Sequence, residues 1–80
     1  MTGNELGKTL KKMYELPGAN KVAMIHLFGI IYGDEMRNLD IKPIEVIKAA
    51  DMKESYFAEV NKGIKLSKYV ELKDQYKKMF

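Results

Sequence analysis

The sequence predicts an all-α domain, a compact bundle of four or five helices. Three observations carry that expectation. Apolar residues recur at three- and four-residue intervals, as in Leu6, Leu10, Met13 and Tyr14. Helix-start and turn signals punctuate the chain at Pro17–Gly18, Asn20, Asn38–Leu39–Asp40 and Pro43. Strand-like alternation is confined to Tyr69, Val70, Glu71, Leu72 and Lys73, where a short strand or wing is the alternative to a helix. Eighty residues, 46% of them hydrophobic, make one domain over residues 1–80, near the size where a single core barely suffices.

The first helix is expected from residue 4 to about residue 16, with Lys8, Lys11, Lys12 and Glu15 outside. Those lysines read as a solvated face. Pro17–Gly18 ends the helix in a turn. Asn20 is placed to cap a second helix that runs to residue 37 or 38. Its interior, VAMIHLFGIIYG, is apolar almost all round and must be covered on several sides. The remaining helices of so short a chain cover only part of it, which predicts a homodimer; the alternative is a central helix fully buried within a monomer. Gly29 and Gly33 lie four apart, each costing about 1 kcal/mol against alanine in a helix. Such a pair forms a shallow groove suited to close packing in a core, or Gly33 marks a bend or helix end.

Residues 41–63, IKPIEVIKAADMKESYFAEVNKG, form two short helices joined by a tight turn. Pro43 suits the first helical position, where a missing N–H costs nothing and the fixed φ is already helical. Glu45 meets the positive end of the helix dipole. Ile41 and Val46 are spaced to close over the start as a hydrophobic staple. Ile44, Val46 and Ile47 give an apolar face that continues through Ala49 and Ala50 to a stop at Asp51, a residue tolerant of left-handed backbone. Met52 points inward from the turn. The second helix is expected over residues 53–62, with Phe57 and Val60 inward at i, i+3 and Gly63 as the left-handed residue that closes it. The predicted core is therefore residues 22–32 with Ile44, Ile47, Phe57 and Val60 packed against them. Beyond Gly63, Leu66, Tyr69 or Val70, Tyr76 and Phe80 suit a helix of about twelve residues, with the short strand as the other option.

Residues 46–63 resemble the DNA-binding helix-turn-helix of the phage-repressor type. The matching features are Met52 after the turn, Ser55 early in the second helix, inward Phe57 and Val60, and Glu59–Val60–Asn61–Lys62–Gly63 at its end. Asp51 stands where that family favours glycine, and Ile47 where it has a small residue. The run SYxxEVxKGxxLxxYV over residues 55–70 is also similar to small bacterial helix-turn-helix-like proteins. The resemblance implies double-stranded DNA as a partner, with the second helix in the major groove. Its candidate contacts are Lys53, Glu54, Ser55, Tyr56, Glu59 and Lys62. Ser55 donates or accepts at a base or phosphate, Tyr56 stacks or bonds a phosphate, and Lys62, Lys65 and Lys68 neutralise phosphates. Glu54 and Glu59 oppose this, since a carboxylate near DNA is repelled unless it accepts from a cytosine amino group.

The charge pattern agrees with a phosphate-facing surface near the C-terminus. Residues 1–60 are nearly balanced, whereas Lys62, Lys65, Lys68, Lys73, Lys77 and Lys78 face only Glu71 and Asp74 in the last twenty. The alternative is a small dimeric protein–protein interaction module whose lysines are merely solvated. Enzymatic chemistry is not expected. The chain has no cysteine, no phosphate-binding glycine loop, and a single histidine, His26, with no second ligand or acid–base partner at suitable spacing. No metal or cofactor is implied. A cysteine-free chain whose opening MTGNELGKTLKK has no apolar signal core is expected to be cytoplasmic, and no apolar run reaches the ~18 residues of a membrane span.

Overall fold

The computed structural model describes residues 1–80 as five α-helices and one 3-10 turn, with no strand. Helix α1 spans Gly3–Tyr14, α2 Lys21–Asn38, α3 Pro43–Ala49, α4 Phe57–Leu66 and α5 Asp74–Lys77, and the 3-10 turn Glu54–Tyr56 runs directly into α4. The all-α bundle expected from the sequence is observed. The strand option at Tyr69–Lys73 is not, because that segment pairs with nothing. The longer C-terminal helix is also absent, since only Asp74–Lys77 is helical.

Helices α1 and α2 start where a side chain answers their free N–H groups. Thr2 and Glu5 form a reciprocal capping box on α1, with both hydrogen bonds at 3.1 Å. Asn20 accepts from the Ala23 N–H at 2.9 Å to cap α2. Pro43 takes the first position of α3, and the Glu45 carboxylate accepts from the Lys42 N–H. Asp40 and Asp51 turn the chain on either side of α3 with φ of 54° and 55°. Asp51 thus supplies the left-handed residue that a glycine would otherwise provide.

The core joins Leu6, Leu10 and Met13 of α1 to Ile25, Phe28 and Met36 of α2, Val46, Ile47 and Ala50 at α3, and Val60 and Ile64 of α4. Two close contacts organise it. Gly7 of α1 lies against Ala49, where an added Cβ would come within 2.6 Å of the Ala49 methyl. Gly29 and Gly33 of α2 lie against α4. A Cβ on Gly29 would sit 2.7 Å from the Val60 carbonyl, and one on Gly63 would collide with the carbonyl of His26.

Four expectations need correction here. Gly63 does not close a helix in left-handed conformation; it lies inside α4, buried, and its lack of a side chain lets α2 and α4 touch backbone to backbone. Phe57 is not inward but 41% exposed. Tyr56, at the end of the 3-10 turn and four residues before Val60, packs on the core instead. The helix expected over residues 53–62 accordingly becomes a 3-10 turn and an α-helix ending at Leu66. Within residues 22–32 the core is narrower than expected, since Val22 and Ala23 are exposed.

The C-terminal segment partly covers α2. Leu72, Tyr76 and Phe80 face Met24 and Leu27 across an apolar cavity of about 530 Å³. Some of the apolar excess on α2 is therefore met by the chain itself.

Replacing Gly63 or Gly29 by alanine should lower stability by roughly 1–3 kcal/mol or more, because each Cβ meets backbone that cannot move aside. Gly3→Ala, with open space around it, should be neutral or slightly stabilising in the same urea titration. Ile47→Ala should cost about 2–5 kcal/mol, and Phe57→Ala much less.

Candidate nucleic-acid interface

The packing of α4 on α2 determines which residues α4 leaves free. Val60, Gly63, Ile64 and Ser67 follow one another at three, one and three residues along the side that meets α2. The opposite stripe is Ser55, Ala58, Lys62 and Lys65, all exposed and spaced three, four and three residues apart. Ala58 puts a single methyl in the middle of this stripe, so another surface can approach the helix closely there. Lys68 follows in the turn after α4 and is exposed, as is Lys53 before the 3-10 turn. Six of the eight residues expected at an interface, Lys53, Glu54, Ser55, Lys62, Lys65 and Lys68, are thus exposed on or beside α4.

Tyr56 and Glu59 are placed differently. The hydroxyl of Tyr56 is hydrogen-bonded to that of Tyr14 at 2.8 Å, and the two rings meet edge to face with centroids 5.4 Å apart. Lys21 sits over the Tyr14 ring at 4.5 Å and donates to the Tyr14 carbonyl. The Tyr14 hydrogen bond, followed by burial, raises the pKa of Tyr56 above its ordinary value. Tyr56 therefore ties the start of α4 to α1. Glu59 ties α4 to α2: one carboxylate oxygen pairs with His26 Nε2, and the other accepts from Lys62 Nζ at 3.1 Å.

The far end of α4 is held by Arg37. Its guanidinium donates to the Ile64 carbonyl at 3.3 Å and the Ser67 hydroxyl at 3.1 Å, and pairs with Asp34 on its own helix. A cation on the last carbonyls of a helix also opposes the negative end of its dipole. Sequence reasoning missed Tyr14, His26 and Arg37 as partners of α4. Nothing in local spacing points to them, since their partners lie 42, 33 and 27 residues away.

No group of three or more histidine, cysteine or carboxylate side chains is arranged to hold a metal ion. No helix is long and apolar enough to cross a membrane.

The hydrogen bond from His26, then that from Lys62, holds the Glu59 carboxyl below its ordinary value near 4.5. A carboxyl whose pKa is depressed in the folded state adds stability above its unfolded pKa and loses it as pH falls through the folded pKa. Glu59→Gln should therefore be less stable than the wild type at neutral pH, and the difference should shrink as pH falls below about 4.5. Urea midpoints measured across that range check it; a gap that stays constant to pH 3 would mean the Glu59 charge contributes nothing.

No curated protein and no solved structure matches the chain significantly. A family model described as an HTH-like domain matches residues 2–73. That span takes in α1 to α4 and the chain up to α5, including the α3–turn–α4 unit with Asp51 at its turn, and the chain belongs to the HTH-like domain family.

Proposed function

We propose that the protein binds double-stranded DNA through α4, with the Ser55–Ala58–Lys62–Lys65 stripe toward the duplex. The observation that carries this reading is the stripe itself: an exposed, small-to-cationic face on the second helix of a helix-turn-helix-like unit. Lys62, Lys65 and Lys68 neutralise backbone phosphates, Ser55 and Ala58 approach base edges or sugar, and Lys53 adds a cation before the helix. Tyr56 and Glu59 serve this surface indirectly by fixing the helix against Tyr14 and His26.

Apolar residues left outside support a second reading, a dimeric interaction module. Val22 on α2, Phe57 and Leu66 on α4, and Tyr69 remain exposed. Self-association of two copies is compatible with DNA binding, since paired helix-turn-helix units read paired half-sites.

Duplex binding should weaken as salt rises, with a logarithmic slope of about 0.9 per phosphate neutralised. Lys62→Ala, Lys65→Ala or Lys68→Ala should each lower affinity on every sequence and flatten the slope by about that amount. Ser55→Ala should discriminate between sequences. Ala58→Glu, at an exposed helical position, should abolish binding without unfolding the domain. Absence of any salt-dependent duplex binding by the wild type would replace this reading with the interaction module. Sedimentation at micromolar concentration tests self-association, for which a mass twice 9.2 kDa is expected.

A further inference from the structure

Glu59 is the one acidic residue on α4, and it lies beside a face proposed to meet a polyanion. Two cations share it. His26 reaches it from α2, and Lys62 from the next turn of α4. Their exposures differ in a way that matters. The Lys62 side chain is 62% exposed and free to swing outward, whereas His26 at 32% and Glu59 at 24% are fixed between the helices.

We propose that His26 makes duplex binding pH-dependent, its protonation neutralising Glu59 and releasing Lys62 to a backbone phosphate. The proposal rests on the DNA-binding reading and adds its regulation. Imidazole is the side chain whose charge changes between pH 5 and 8. With the ring protonated, His26 and Glu59 cancel and Lys62 is surplus positive charge. With the ring neutral, Lys62 is the only cation left to Glu59, and the three groups together carry no net charge. One positive charge at the interface is gained or lost within a Debye length of about 8 Å.

Glu59 is the acid paired with His26. From α4, Glu59 and Lys62 are the charged groups against His26. From α1, Tyr14 is engaged by Tyr56 and Lys21, and no ion pair or hydrogen bond reaches His26 from it. The 3-10 turn carries Tyr56, already bonded to Tyr14, and one acid, Glu54, which is exposed and forms no ion pair, with Lys53 before it. On α2 itself, Asp34 is paired with Arg37, and Glu35 lies 3.9 Å from the chain's amino terminus.

The test uses the full chain and a mixed-sequence duplex at low salt, at pH 8 and at pH 6. Wild-type affinity should rise several-fold, up to about tenfold, at the lower pH, with the salt slope steeper by about 0.9. His26→Gln keeps a hydrogen-bonding side chain without the charge, and should bind at pH 6 as the wild type does at pH 8. Glu59→Gln should bind tightly at both. Because either variant perturbs the α2–α4 contact, the wild-type imidazole is also titrated by NMR with and without duplex. Coupling is reciprocal, so saturation with duplex should raise the His26 midpoint. Duplex binding that is equal at both pH values, with an unmoved His26 midpoint, would overturn the proposal and leave the DNA-binding reading intact. No duplex binding at either pH would overturn both.

Discussion

The rest of the structure depends on the backbone contact between α2 and α4. Gly29 and Gly33 on one helix and Gly63 on the other remove the side chains that would hold them apart. Glycine in a helix interior costs about 1 kcal/mol against alanine, so three of them in two helices represent a considerable local penalty. Close packing offsets it, because backbone and side-chain atoms of both helices come into dispersion contact over the whole interface. The contact also fixes rotation. With Val60, Gly63, Ile64 and Ser67 committed to α2, the stripe from Ser55 to Lys65 has nowhere to point but outward. The free face of α4 is thus a consequence of what α2 lacks.

Polar contacts then fix what packing leaves undetermined. A short helix lying on a smooth glycine groove has little to stop it sliding along its axis. Tyr14–Tyr56 holds its start, His26–Glu59 its first full turn, and Arg37 its last carbonyls. These groups are only partly exposed, so each contact is screened less than a surface pair would be, although none carries the desolvation penalty of a fully buried ion. No buried side-chain polar atom is left without a partner. On the other side of the unit, Gly7 against Ala49 brings α1 onto the end of α3. Close approach to α3 thus runs through Gly7 and Ala49, and Ile47 is free to be a core residue.

Much of this was legible in the sequence because it is local. The α2 and α3 starts at Asn20 and Pro43, the Asp51 turn and the close-packing role of Gly29 and Gly33 each follow from a residue and its near neighbours. Gly63 reads as a helix end for the same reason, since it is a glycine after an apolar periodic run. The correcting signal lay just beyond it, since Val60, Gly63, Ile64 and Ser67 continue one helical stripe straight through the glycine. Phe57 and Tyr56 exchange roles because spacings of three and four residues to Val60 are both helical, and spacing alone does not say which of the two meets the core. The tail was indeterminate in sequence, and it is mostly irregular in the fold. As for the candidate surface, the exposed lysines and Ser55 were legible as exposed. The anchoring of Tyr56 and Glu59 was not, because their partners are distant in the chain.

The glutamate on α4 illustrates why that distinction matters for function. Viewed in sequence, Glu59 is a negative charge that weakens a basic helix. Placed in the fold, it holds α4 to α2 through His26, and its remaining oxygen holds the most exposed part of Lys62 close to the helix surface. The same carboxylate is therefore both a structural tether and a local competitor for a lysine proposed to meet phosphate. Those two demands differ in strength. An exposed lysine–carboxylate pair is worth roughly 0–1 kcal/mol, little enough for a polyanion to displace it. The His26 contact is less exposed and joins two helices, so it survives such a displacement. Lys62 held this way stays paired until something anionic arrives, while the helix that presents it stays in place.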